Sequence, residues 1–221
     1  MNLRKNLDKI LTGIPKNVKL VVISKFQPEG KIQELYDTGY RIFGENKVQE
    51  LFDKHQRLPK DIEWHFVGHL QTNKVKFIAP FVSFIHSVDS SKLLAEINKE
   101  AQKKNRVIDC LLQFHIASEE TKFGLNIDEA EGILISDLYY QLENVRVIGV
   151  MGMATFTENI NTVRKEFATL KRYFNLLKEK YFTEDESFKE LSMGMTQDYK
   201  IAIKEGSTIV RIGTAIFGDR K

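Results

Sequence analysis

Lys25 closes an apolar run, Val18-Lys19-Leu20-Val21-Val22-Ile23-Ser24-Lys25, that reads as a buried strand. Desolvation at the end of such a strand disfavours the ammonium form, and a partly neutral amine can attack an aldehyde and form a Schiff base. Near the C-terminus, Ser192, Gly194 and Thr196 precede one helical pattern, and Gly213 and Thr214 precede a short turn ending at Gly218. Glycine lets backbone N–H groups approach an anion, and a helix start adds partial positive charge. These residues read as a phosphate cup, with strand-end turns and helix caps as the alternative. Arg211 lies two residues before Gly213. Residues two apart in a strand face the same side, so an inward Gly213 implies an inward Arg211. A buried guanidinium needs an acceptor. A ring nitrogen beside it would stay unprotonated. The alternative is a structural salt bridge to a carboxylate such as Glu45.

Positioning these groups requires a sheet whose strand ends converge. Apolar, β-branched runs at 18–24, 41–44, 63–68, 84–88, 108–116, 145–153, 188–193 and 207–213 read as strands. Helical patterns lie between them. Leu3, Leu7, Ile10 and Leu11 set one face of an N-terminal helix, and further helices are expected over 46–58, 90–104, 126–140, 163–181 and 196–204. The alternation predicts an α/β fold, a closed (β/α)8 TIM barrel with an additional N-terminal helix, as one domain over 1–221. A doubly wound open sheet is the alternative, but its first turn lacks a nucleotide fingerprint. In such barrels chemistry gathers at the carboxyl ends of strands. Here those ends carry Ser24-Lys25, Gly44-Glu45-Asn46, Gly68-His69, Ser87-Val88-Asp89, His115, Ala154-Thr155, Ser192–Thr196 and Gly213-Thr214.

Other chemistries find little support. The 33 basic and 30 acidic residues are interspersed, so no block suggests a nucleic-acid arm or a membrane patch. The single cysteine, Cys110, sits in an apolar run and reads as a buried structural thiol. The five histidines (His55, His65, His69, His86, His115) show no metal-ligand spacing, and no metal is expected. His69 reads as a turn or cap residue. Trp64 and Phe66, flanking His65, read as packing. The start lacks the apolar stretch of a signal peptide and no segment approaches a bilayer span, so a cytoplasmic location is expected.

Taken together, the motifs resemble those of the pyridoxal phosphate homeostasis proteins, which are barrels that bind pyridoxal 5′-phosphate (PLP). The matching stretches are Val22-Ile-Ser-Lys25, Phe43-Gly-Glu-Asn-Lys-Val-Gln-Glu50, Trp64-His-Phe-Val-Gly-His-Leu-Gln-Thr-Asn-Lys74, Ser87-Val-Asp89, Leu191-Ser-Met-Gly-Met195 and Val210-Arg-Ile-Gly-Thr-Ala-Ile-Phe-Gly218. They run in the family's order from first strand to last. The resemblance implies a fold like the N-terminal barrel of alanine racemase, with PLP as cofactor held on Lys25 as a Schiff base. It further implies Asn46 beside the cofactor, Ser192 as a phosphate contact, and Gly213 and Thr214 as phosphate contacts through backbone amides and a hydroxyl. Arg211 falls near the pyridine nitrogen. Thr121-Lys122-Phe123-Gly124 stands where many members have Ser-Lys-x-Gly, and Met151-Gly152-Met153 varies on the family's more usual Leu-Met stretch.

The implied function is buffering or delivery of PLP, with apo-PLP enzymes as partners, no nucleic-acid or membrane partner, and a monomeric state. No efficient catalysis is expected. Racemases of this type use a second domain for a catalytic tyrosine, and an arginine beside the ring nitrogen weakens the electron sink. Two alternatives are a PLP-dependent amino-acid racemase using the barrel alone and a cofactor-free isomerase of a phosphorylated substrate.

Overall fold

The protein is described by a computed structural model covering residues 2–119 and 123–218. The Thr121-Lys122 pair therefore lies outside the described residues. Eight strands form among the described residues: β1 (Lys19–Ile23), β2 (Ile42–Glu45), β3 (Glu63–Phe66), β4 (Phe84–Val88), β5 (Ile108–Phe114), β6 (Val145–Gly152), β7 (Glu190–Ser192) and β8 (Ile209–Ile212). They pair in sequence order, all parallel, and β1 pairs with β8 to close the barrel. The expected (β/α)8 barrel is what forms.

Ten α-helices accompany the strands among the described residues: α1 (Leu3–Gly13), α2 (Glu29–Tyr36), α3 (Val48–Arg57), α4 (Val75–Ile78), α5 (Ser91–Gln102), α6 (Ile127–Leu134), α7 (Asp137–Tyr140), α8 (Ile160–Tyr181), α9 (Tyr199–Lys204) and α10 (Thr214–Phe217). The N-terminal helix is present, with Leu3, Leu7 and Ile10 buried but Leu11 exposed. The helix expected over 126–140 is two helices. Ser136 caps the second, its side chain accepting from the Tyr139 amide. Helices α2 and α4 have no counterpart among the expected helices. Each is short and buries only two side chains, Ile32 and Leu35 in one and Val75 and Ile78 in the other, too few to set a period.

Successive strand residues face opposite sides of a sheet, and the burial pattern divides accordingly. Leu20, Val22, Phe43, Trp64, Phe66, Cys110 and Leu112 join the large cluster under the helices. Val21, Phe84, Leu111, Ile148, Met151 and Ile209 form a smaller cluster inside the barrel. A register shift keeps β6 in phase with both neighbours. Cys110 pairs with Val147 and Leu111 with Gly149, so Ile148 is an extra residue on β6. The bulge needs glycine, because a Cβ on Gly149 would lie 1.8 Å from the Glu190 carbonyl oxygen.

Candidate functional site

The carboxyl ends of β1, β6, β7 and β8 surround a cavity of about 770 Å³ lined by Lys25, Thr155, Met195, Thr196, Arg211, Gly213 and Thr214 among others. Lys25 continues the inward series Val21, Ile23. Gly213 stands beside the end of β1: a Cβ there would come within 2.8 Å of the Ile23 carbonyl oxygen. Only glycine lets the β8 end approach the β1 end this closely.

The backbone on both sides of Lys25 is clamped by one buried ionic cluster. Lys54 Nζ donates to the Ser24 carbonyl (2.8 Å), Glu45 Oε1 (2.6 Å) and Glu50 Oε1 (2.6 Å). Ser24 Oγ donates to Glu45 Oε1 at 2.6 Å, and the Phe26 amide donates to Glu50 Oε1 at 2.5 Å. The clamp holds Phe26 in the left-handed region, φ 63°, which costs a non-glycine residue about 1–2 kcal/mol. Burial pushes the Glu45 carboxyl up to about 7, while Lys54 and Ser24 pull it down. Lys54 is unremarkable in the sequence, where it reads as one more surface lysine on an amphipathic helix.

Arg211 points into the barrel as expected, 4% exposed. It does not pair with Glu45. Its Nη1 donates to Ser192 Oγ at 2.6 Å and its Nη2 to the Gly152 carbonyl at 3.1 Å. Burial pulls its guanidinium down to about 10, with Asp198 acting in the opposite sense, so it stays charged at neutral pH.

The remaining sequence-derived residues divide. Gly213 and Thr214 open α10 at the cavity wall, with Ile216 and Phe217 donating back to the Gly213 carbonyl. The first N–H groups of a helix have no carbonyl ahead of them. Thr196 and Met195 line the cavity, following Gly194, whose φ of +96° turns the chain after β7. Ser192 does not share that wall. It is fully buried one layer deeper, with Arg211 and His86 as partners. Asn46 follows β2, and its Oδ1 is buried without a hydrogen-bond partner among the described residues. His69 lies 3.1 Å from Asp89 Oδ2 and stacks on Phe123 with ring centroids 3.9 Å apart.

The whole chain, residues 1–221, matches the family described as alanine racemase, N-terminal domain. The pyridoxal phosphate homeostasis protein of Aquifex aeolicus is 40% identical over 232 residues, covering all of both chains. The chain belongs to the pyridoxal phosphate homeostasis protein family. The Escherichia coli member is 34% identical over 213 residues, covering 93% of this chain and 87% of its own. A solved member, PipY of Synechococcus elongatus, is 31% identical. Without PLP it superposes with a TM-score of 0.91 over 99% of this chain and 100% of its own. With PLP bound it superposes with a TM-score of 0.87 over 98% and 100%. The homeostasis family is not named as an enzyme family.

The cavity suits such a cofactor on its own chemistry. PLP presents an aldehyde, a dianionic phosphate and a ring nitrogen. The cavity carries one lysine from a strand end, a glycine–threonine helix start, and a buried guanidinium. Asn46 is not among the residues that line the cavity, although its Oδ1 is buried without a hydrogen-bond partner among the described residues. Among the described residues no cluster of His, Cys, Asp or Glu could hold a metal ion, and no helix is long and apolar enough to cross a membrane.

Proposed function

We propose that this chain, acting as one barrel domain over residues 1–221, binds PLP reversibly and keeps it available to other proteins. The observation that carries this reading is the convergence of Lys25, Arg211, Thr196, Gly213 and Thr214 on one cavity. The name shared by the relatives and the PLP-bound structure of PipY support it. When bound, PLP supplies a reactive aldehyde and an electron-accepting ring.

The chain's own residues divide the work of holding it. Lys25 is the amine that would hold the aldehyde carbon, and the Ser24–Glu45–Lys54–Glu50–Phe26 clamp fixes the backbone from which it extends. Gly213 and Thr214, with Thr196 from the neighbouring loop after β7, would hold the phosphate through N–H groups and hydroxyls. Arg211 would face the ring nitrogen as a fixed cation, which disfavours a second positive charge there. Ser192 belongs to the support of Arg211 rather than to the phosphate contacts.

We further propose that turnover of amino acids is inefficient. Catalysis needs groups that act on the substrate in the transition state, and an uncharged ring nitrogen limits what the ring can accept. Apo-PLP enzymes are the proposed recipients. The purified protein is expected to show a visible absorption band from bound PLP and to restore activity when mixed with an apo-PLP enzyme. Incubated with a panel of amino acids in deuterium oxide, it is expected to exchange the Cα hydrogen slowly or not at all. Rapid, multiple-turnover exchange would make it an enzyme instead.

The phosphate assignment makes a separate prediction. Thr214→Val and Thr196→Val are each expected to weaken PLP binding roughly 10- to 100-fold, the value of a hydrogen bond to a charged group. Pyridoxal, which lacks the phosphate, should lose little. Equal losses for both ligands in a binding titration would place these threonines elsewhere.

A further inference from the structure

A file of side chains crosses the inside of the barrel from its amino-terminal rim to the floor of the cavity. Glu63 Oε1 lies 3.0 Å from His65 Nε2, and His65 Nδ1 lies 2.9 Å from His86 Nε2. His86 Nδ1 lies 3.0 Å from Ser192 Oγ, which accepts from Arg211 Nη1 at 2.6 Å. The file passes from β3 through β4 and across the barrel to β7 and β8. His65, His86 and Ser192 are fully buried, whereas 42% of the Glu63 side chain is exposed.

The two ends fix the direction of every bond between them. A guanidinium only donates and an ionised carboxylate only accepts. Ionised Glu63 therefore requires the hydrogen of His65 on Nε2. A neutral His65 then accepts at Nδ1, which requires the hydrogen of His86 on Nε2. A neutral His86 accepts at Nδ1 from the Ser192 hydroxyl, whose lone pairs remain for Arg211. With both rings neutral and Glu63 ionised, no other arrangement satisfies all four contacts. Burial holds both imidazoles below the ordinary histidine range, His86 furthest because His65 and then Arg211 add to burial there while Glu63 acts in the opposite sense on His65, and hydrogen bonding to His65 holds the Glu63 carboxyl down.

We infer that His65, His86 and Ser192 form a one-way hydrogen-bond chain, anchored at Glu63, that holds the Arg211 guanidinium in place at the cavity floor. They are positioning residues. None lines the cavity, and each acts on a ligand only through Arg211. One consequence is specific: the hydroxyl hydrogen of Ser192 is committed to His86 and is not available to a phosphate. The chain itself is independent of the ligand, while its effect on binding rests on the PLP reading above.

Two measurements test it. Long-range proton–nitrogen spectra of the ligand-free, ¹⁵N-labelled protein are expected to show both His65 and His86 neutral with hydrogen on Nε2 at about pH 7. Hydrogen on Nδ1 of either ring, or a charged ring, overturns the chain. In binding titrations Ser192→Ala is expected to weaken PLP and pyridoxal by the same factor, roughly tenfold. In an Arg211→Ala background the same change is expected to cost nothing further. A loss confined to PLP would make Ser192 a phosphate contact, and an undiminished loss without Arg211 would remove the coupling; either result overturns the positioning role. If the protein binds neither aldehyde, the functional reading falls and the spectra alone decide the chain. The spectra need no variant, so they test the chain even where Ser192→Ala protein fails to fold.

Discussion

Lys25→Ala protein mixed with PLP is expected to develop none of the visible absorption that the unaltered protein develops. The effect should be complete rather than graded, because the band depends on a covalent link that only an amine can make. Borohydride treatment followed by peptide mass mapping should place the fixed label on Lys25 in the unaltered protein and leave the variant without a specific label. Non-covalent binding through Arg211, Gly213 and Thr214 should survive at reduced affinity, which distinguishes loss of the link from loss of the fold. A full band in the variant, fixed at another lysine such as Lys47 or Lys122, would show that the site is built around a different amine.

The second large effect concerns the clamp. Lys54 is only 4% exposed and bridges Glu45 and Glu50 beneath Ser24. Lys54→Met should destabilise the protein by about 3–5 kcal/mol, since removing one partner leaves an uncompensated buried charge. For a chain of this length that corresponds to a fall of roughly 6–20 °C in Tm. The loss should depend on pH with a definite sign. The folded-state pKa of Glu45 lies above its ordinary value because burial disfavours the carboxylate. Keeping it ionised in the folded chain therefore costs stability as pH rises through about 7. Lys54 offsets that cost, and without it the carboxyl rises further. The gap in Tm between the two proteins should be widest above about pH 8 and should narrow toward about pH 5, where Glu45 can take up a proton. A gap that is constant across that range would mean that Lys54 acts through packing alone.

What the sequence disclosed and what it hid follow from how far apart the interacting residues lie. The strand runs alternate with helical patterns locally, so eight strands in a closed parallel barrel were legible, as were Lys25, Gly213 and Thr214 at strand ends. The inward side of Arg211 followed from its two-residue offset from Gly213. The partners of Arg211 did not, because Gly152 and Ser192 sit on other strands and nothing local couples them to it. Ser192 looked like part of the phosphate cup because it precedes a helix. The phase of β7 turns it inward, one layer below the cavity. The histidines show no ligand spacing along the chain, yet His65 and His86 meet side by side across neighbouring strands and serve one another. Lys54 hid in part for the same reason: Glu50 is its neighbour one turn back on α3, but Ser24, just after β1, and Glu45, in β2, meet it only in space.

The pairing of β1 with β8 has a consequence for the order in which the molecule becomes competent. Lys25 comes from the first strand, and Arg211, Gly213 and Thr214 come at and just after the last. No nascent chain that stops short of β8 can hold both halves of the site, since the amine emerges with the first strand and its counterparts only with the eighth. Ligand capture therefore requires the closed ring. A ligand that binds only the closed form adds RT ln(1 + [L]/Kd) to its stability, and it does so at the seam with the longest loop to close. The cavity acts as a latch on the closed ring, and resistance to proteolysis at the seam should rise with ligand concentration before it changes anywhere else in the ring.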